Sequence, residues 1–382
     1  MGHVIGIDKG TSVVKAVVFD AAGRARGQAA ARVEALHPAP GWHEEDAEQS
    51  WAATAGVVRA AVAAAGIDPG AVRGIGIAGH MGGLWLVDAE GRPVRHAICW
   101  PDERALPEQM ALERQGLLPR AFAISGNGMM PGISVMLMAW IARHEPQALA
   151  RTRHALCAKD YLRFRLTGEI ATDPSDVSFV PGDIDARRHS AELMRLCGAG
   201  DWLDRLPPIR PSEAIAGALT AEAAAATGLP AGLPVVTGLG DAVANALGAG
   251  CTRPGRSLTV LGTSCLNSRV LASPDRAPAG LGFLFAMPAG RYLRILPNTS
   301  GTITMDLVPR PVRPPARARR PPRLRRAGTA GGGGATGGGG RGAAALCQRQ
   351  RRAGALLRRA GTGDAVRRVE PDHARRPAAR GL

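Results

Sequence analysis

After Leu307 the chain holds no Ile, Met, Phe, Tyr or Trp, and Arg, Pro, Gly and Ala take over in runs such as RPPARARRPPRLRRAG and GGGGATGGGG. A segment so poor in large apolar side chains cannot bury enough surface to offset the entropy of ordering its backbone. A packed core is therefore expected only before the break. The charge divides at the same place. Residues 308–382 carry 19 of the 48 basic residues and 3 of the 32 acidic ones, which accounts for the whole net charge of +16. The preceding part has 29 of each sign and is neutral. One reading of the tail is a basic disordered arm for nucleic acid or anionic surfaces. The preferred reading is a GC-rich frame translated out of register. These four residues have GC-rich codons, and the change follows abruptly on the well-patterned ILPNTSGTITMDL. A neutral body argues against a nucleic-acid-binding protein.

With 382 residues the chain is long enough for two or three domains. Its six cysteines show no CxxC or other ligand spacing, so reduced thiols are expected and neither a disulfide frame nor a zinc site. The start, MGHVIGIDKG, lacks a basic stretch leading into an apolar one. No run of about 18 uncharged apolar residues occurs. A cytoplasmic protein without a membrane span is the expectation.

Alternation predicts strands over Val4–Asp8 and Val13–Phe19, with another opening after Gly23. GWHEEDAEQSWAATAGVVRAAVAAAG reads as a helix, with Asp46 and Gln49 at capping-box spacing and Trp51, Val57, Val58 and Val62 on its apolar face. GIGIAG reads as a buried strand, and LWLVDAEGRPVRHAICW as a hairpin turning at AEGRP. Residues 135–195 look mainly helical, broken near Gly168 and Pro174. LPVVTGLGD reads as a strand ending at Asp241, followed by the short helix AVANALGAG. SLTVLGTSCLNSRV then repeats the design of GIDKGTSVVKAVVFD: apolar strand, Gly-Thr-Ser, strand. Two such hairpins suggest two related domains facing each other.

The first turn has its own chemistry. Gly10 lets the backbone bend and lets a bulky anion approach. Amides in such a turn form an anion nest, and the Thr11 and Ser12 hydroxyls add donors for phosphate oxygens. Lys15 adds a point charge or is merely a solvated strand residue. Asp8 repels phosphate unless Mg²⁺ lies between them, since that ion takes hard oxygen ligands. The competing reading is an ordinary hairpin turn with Asx-type bonds. GIGIAG formally matches GxGxxG, but its glycines lie inside the strand and no helix opens there, so it is not a dinucleotide fingerprint.

Several segments together resemble the FGGY family of carbohydrate kinases. GIDKGTSVVKAVVFD resembles its first phosphate motif, and GWHEED with Trp51 its G-W-x-E-x-D…W stretch. GIAGHMGGLWLVDAEGRPVRHAICWPDERA is similar to its sugar-site segment, with W-x-D-x-R at Trp100, Asp102 and Arg104. AKDYLRFRLTGEIATDPSDVS, GLPVVTGLGDAVANALGAG and LGTS complete the likeness, which spans about residues 3–306.

The resemblance implies an α/β fold of two RNase-H-like domains of the actin/hexokinase type. Residues 1–248 would form the sugar-binding domain, 249–307 the start of an ATP-binding domain, and 308–382 a low-complexity tail. It implies ATP-dependent phosphorylation of a hydroxyl on a small, pentulose-like sugar or polyol. Asp241 would be the general base, although a helix N-cap is its bland alternative. Asp8 would help hold Mg²⁺. Gly10, Thr11, Ser12 and Lys15 would grip the phosphates from one side, and Gly262, Thr263 and Ser264 from the other. His80, Met81, Gly82, Trp100, Asp102 and Arg104 would line the sugar region. Trp100, Asp102 and Arg104 could equally be a structural trio beneath it, and His80 a core histidine. No nucleic acid or membrane partner is implied, and a homodimer is left open.

Two departures stand out. Many relatives have Gln in the slot of His80 and a polar residue in that of Gly82, so the sugar is expected to differ from D-xylulose. The family's adenosine motif lies well beyond residue 307. An incomplete second domain with an open sheet edge is therefore expected, and with it impaired activity or sugar binding alone.

Overall fold

The computed structural model describes residues 2–179, 182–261 and 265–298. All lie in one compact unit, Met1–Arg310. The tail from 308 onward and the turn Gly262–Ser264 fall outside the described residues.

A central sheet is built on the opening hairpin. Strand β1 (His3–Lys9) pairs antiparallel with β2 (Val13–Phe19), and β2 with β3 (Ala25–Arg32). On its other side β1 runs parallel to β4 (Val72–Gly79), the buried GIGIAG strand. Two short strands extend the sheet past β4. These are β5 (Ile215–Ala218) and β6 (Pro234–Val236), with β6 parallel to β4 and antiparallel to β5. Strand β7 (Leu239–Gly240) pairs with the far end of β4. Ile5, Ile7, Val14, Ala16, Val18, Ile75 and Ile77 fill the core on this sheet, as two-residue periodicity requires.

Helix α1 (Ala47–Ala65) covers β2 and β3 with Trp51, Val57, Val58 and Val62. Asp46 caps it, its side chain accepting from the amides of Glu48 and Gln49. The helix thus begins at Ala47, where the capping-box spacing put it, and the preceding residues 41–45 of the segment lie outside it. Glu44 and Glu45 instead form a short strand against Ala97–Ile98.

Two other expectations need correction. LPVVTGLGD is not one strand. Gly238 has φ +83°, and a Cβ there would sit 2.3 Å from the carbonyl oxygen of Ile77, so the chain kinks between β6 and β7. Within 135–195, a strand at His154–Leu156 and a small hairpin of Gly182–Asp183 with Arg188–His189 interrupt the helices. The main helices there are α2 (Ser134–His144), α3 (Ala158–Thr167) and α4 (Pro174–Phe179). Helix α5 (Asp241–Gly248) follows β7 directly.

A second, antiparallel sheet has the order β8-β9-β11-β10. Its strands are β8 (Ser257–Leu261), β9 (Cys265–Leu271), β10 (Phe283–Met287) and β11 (Arg291–Asn298). Side chains of the first part take up the free backbone groups of β10. Asn127 Oδ1 accepts from the Leu284 amide at 2.9 Å, and Ser178 Oγ accepts from the Ala286 amide at 2.9 Å. The Phe179 ring meets Phe283 and Phe285 edge-on at 5.3 and 5.4 Å. These contacts seat the second sheet against α4. Among the described residues the five cysteines are free, and no helix is long and apolar enough to cross a membrane.

Candidate active site

Three parallel strands end together. In register, Asp8 of β1 lies beside Ala78 of β4, and Ala78 beside Leu239 of β7. The turn at 10–12, His80 after β4 and Asp241 after β7 therefore emerge at one carboxyl-terminal sheet edge, where open α/β sheets commonly bind ligands. A cavity of about 540 Å³ opens there, with Thr11, His80, Met81, Trp100 and Asp241 in its lining.

Asp241 is the first residue of α5 and only partly exposed. Its Oδ1 accepts from the adjacent Ala242 amide at 2.6 Å, but the N-cap position itself is Gly240, so Asp241 is not the helix cap. Burial, with the Asp8 charge adding to it, pushes its carboxyl up to about 6, against the helping effect of the Ala242 amide. Asp8 is likewise raised by burial, offset in part by Lys15 and Lys9. Lys15 faces Asp8 across the hairpin and is exposed. Trp100 Nε1 donates to Thr11 Oγ1 at 2.9 Å, which leaves the Thr11 hydroxyl proton free for another acceptor. Gly10 closes the turn through its amide to the Val13 carbonyl, and Ser12 is exposed.

Asp102 and Arg104 do not line the cavity. Both side chains are fully buried. Arg104 Nε donates to Asp102 Oδ1 at 2.8 Å and its Nη2 to Glu44 at 2.6 Å, while its guanidinium lies 3.9 Å from the Trp42 ring centroid. Asp102 Oδ2 accepts from the His43 amide at 2.6 Å. The pair clamps the segment that presents Trp100. Gly82 lies behind Met81 at φ +76°, and a Cβ there would meet the Phe179 ring at 2.9 Å.

Several polar groups near the site were not singled out by the sequence. Lys9 is fully buried, its Nζ 3.0 Å from Glu45 and 3.0 Å from the Gly10 carbonyl oxygen. It shares the inward parity of Ile5 and Ile7, a signal that alternation along β1 does carry. Glu45 also accepts from Ser50 Oγ at 2.8 Å. His80, which the sequence did single out, is 2% exposed, and neither ring nitrogen has a protein partner. Burial, then Lys9 and His43, hold its pKa well below the usual range, so the ring is neutral.

A second buried charge group lies on α3 and α4. Lys159 Nζ reaches Asp160 at 2.6 Å, Asp176 at 2.9 Å and Asp173 at 3.0 Å, with all these side chains essentially unexposed. Asp173 Oδ2 accepts from Ser175 Oγ and from Ser212 Oγ, each at 2.7 Å. Ser175 Oγ in turn accepts from the Gly240 amide at 2.8 Å. The charge group thereby holds the residue immediately before Asp241.

Residues 3–248 match the model of the FGGY family of carbohydrate kinases, N-terminal domain. The chain belongs to the FGGY family. It is 36% identical over 294 residues to the xylulose kinase of Escherichia coli K12, covering 76% of this chain and 59% of that protein. It is 33% identical to the erythritol kinase of Brucella abortus, covering 80% and 60%. Among solved structures, a "xyloylose kinase" from Brucella ovis superposes with a TM-score of 0.74 at 34% identity, over 80% of this chain and 62% of that one. The fold is thus the actin/hexokinase-like α/β fold of sugar kinases. This FGGY chain spans about three-fifths of the length of these relatives.

Two other groups could supply metal ligands: Glu45 with His80 and Cys99, and Cys157 with Asp160 and Asp176. Each already has a buried lysine ammonium, Lys9 or Lys159. Asp8 belongs to neither. Its carboxyl, like that of Asp241, is raised chiefly by burial, and its oxygens are the hard ligands that a divalent cation such as Mg²⁺ takes.

Proposed function

We propose that this chain carries the sugar side of an ATP-dependent phosphoryl transfer to a hydroxyl of a small, pentulose-like sugar or polyol. The observation that carries the reading is Asp241. It lines one cavity with the hydrogen-bonded Thr11–Trp100 pair, and its carboxyl is raised to about 6 by burial and further by the Asp8 charge.

Above pH 6 Asp241 is ionised. Oδ1 is held by the Ala242 amide, and Oδ2 is left to accept the proton of the acceptor hydroxyl. The acceptor O–H bond breaks as its oxygen bonds to the γ-phosphorus, and the bond from that phosphorus to the leaving ADP oxygen breaks. The Gly10–Ser12 turn, with the freed Thr11 proton and Lys15, positions the phosphates. Bound beside Asp8, Mg²⁺ would supply neutralisation of the triphosphate charge. Met81, His80 and Trp100 bound the acceptor, and Asp102 with Arg104 fixes the Trp100 segment. In this reading residues 1–248 are the sugar-binding domain and 249–307 begin the ATP-binding one, with Gly262–Ser264 gripping the phosphates from there. The setting is the cytoplasm.

A coupled ADP-release assay over pentoses, ketoses and polyols tests this. Asp241→Asn should lower kcat by about 10²–10⁴, the range of general-base contributions. An unchanged rate removes Asp241 from the mechanism. Sugar binding without ADP release would instead support the alternative, a sugar-binding chain that does not transfer phosphate.

A further inference from the structure

The cavity at Asp241 has two chemically distinct sides. Its polar groups are Thr11, His80 and Asp241, from the carboxyl-terminal edge of the first sheet, and Asn298 at the end of β11. Apart from Asn298, the side formed with the second sheet is apolar: Met130, Phe179, Phe283, Phe285 and Ile295. It is also firmly built. Phe283 and Phe285 stack with ring planes 5° apart, Phe179 stands edge-on to both, and Phe179, Phe285 and Ile295 are each less than a tenth exposed. Nor can a polar group reach this side from position 82. The backbone there is left-handed, and the Phe179 ring fills the space a side chain would need.

A sugar with a hydroxyl on every carbon suits one side of this cavity and not the other. A hydroxyl pressed against the aromatic wall loses its water and gains no partner, at a cost of about 1–3 kcal/mol. A methyl group in the same place gains from burial. We propose that the preferred acceptor is a deoxy sugar or deoxy polyol. Its reacting hydroxyl faces Asp241, and its far end, lacking a hydroxyl, packs on Phe179, Phe283 and Phe285. This inference rests on the sugar-kinase reading of the cavity and deepens it. It departs from the fully hydroxylated substrates named in the E. coli and B. abortus relatives.

Apolar sites discriminate modestly against an added hydroxyl, by roughly 10²-fold at best, so a preference of about 10- to 100-fold is expected. The test is calorimetric titration of the full chain with D-xylulose and with its 1-deoxy and 5-deoxy analogues. One of the two analogues should bind at least about tenfold tighter than the parent, because only the end remote from Asp241 meets the wall. Phe283→Ser, shown by circular dichroism to keep the fold, should bring parent and analogue towards equal affinity. Binding of the parent as tightly as both analogues overturns the proposal and leaves the kinase reading standing. If none of the three sugars binds, both readings fall. Displacement of the deoxy analogue by adenosine would assign the aromatic wall to a nucleoside base and also overturn the proposal.

Discussion

Asp241→Asn should make the protein more stable, with a pH dependence that identifies the cause. The native carboxyl is raised from 3.8 to about 6, chiefly by burial and further by Asp8. The folded state therefore binds the Asp241 proton more tightly than the unfolded chain does. Below pH 4 both states are protonated and the residue costs nothing. As pH rises from about 4 to about 6, the unfolded chain ionises freely while the folded chain must ionise a half-buried carboxyl, and stability is lost. Each pH unit between the two values is worth about 1.4 kcal/mol, which sets a ceiling of about 3 kcal/mol. Partial exposure of the group screens part of this, so a gain of about 1–2 kcal/mol is expected at pH 7. Asparagine keeps the Oδ1 acceptor for the Ala242 amide, so the helix start is preserved. Urea denaturation of both proteins at pH 4, 5, 6 and 7.5 reads the effect. The gap should be near zero at pH 4, open through pH 5 and level off above pH 6. In an Asp8→Asn background it should shrink, since the Asp8 charge contributes to the shift. A gap that does not change with pH, or a wild type more stable than the variant at pH 7.5, would refute the reasoning.

Lys159→Met should destabilise the fold by about 3–5 kcal/mol in chemical denaturation, because it removes the one ammonium that the buried side chains of Asp160, Asp173 and Asp176 share. A loss below about 1 kcal/mol would show that Asp176, already pushed up to about 8, and its neighbours neutralise by protonation instead. Gly82→Ala forces a left-handed residue against the Phe179 ring and should cost about 1–3 kcal/mol, seen as a lower Tm. An unchanged Tm would mean the ring moves aside freely. Ser175→Ala removes the buried acceptor of the Gly240 amide. Hydrogen exchange in the 238–243 peptide should quicken by roughly 5- to 100-fold, the equivalent of losing a bond worth about 1–3 kcal/mol. Identical exchange would cut the link between the charge group and Asp241.

What could be read before folding was what short-range chemistry encodes. Alternation along residues 4–19 places the opening hairpin, and Asp46 marks the start of the first long helix because its side chain can reach two amides of the first turn. Asp241 was legible as the residue at a strand-to-helix switch, and it does sit there. The kink at Gly238 was not, since whether a glycine adopts positive φ depends on the Ile77 carbonyl packed over it. The aromatic wall was not legible either. Phe179 and Phe283 stand about a hundred positions apart, and only the docking of the second sheet through Asn127 and Ser178 brings them together.

Lys9 and Lys159 separate two kinds of charge in this fold. Both are fully buried, both lie close to the carboxyl-terminal strand edge, and each spends its ammonium on buried acids. A buried ion pair of this sort contributes little net stability, but losing one partner is severe, so it holds its surroundings in a single arrangement. Lys9 fixes the backbone at Gly10 through its carbonyl, and Lys159 acts through Asp173 and Ser175 on Gly240. Each lysine thus pins the residue adjoining one wall of the cavity. Asp8 and Asp241, outside this pairing, have carboxyls raised by burial, and both the exposed Lys15 and the buried Lys9 act on Asp8. Substituting either buried lysine should therefore disturb the backbone it pins, at Gly10 or Gly240, as well as global stability, whereas substituting the exposed Lys15 should change the charge felt by Asp8.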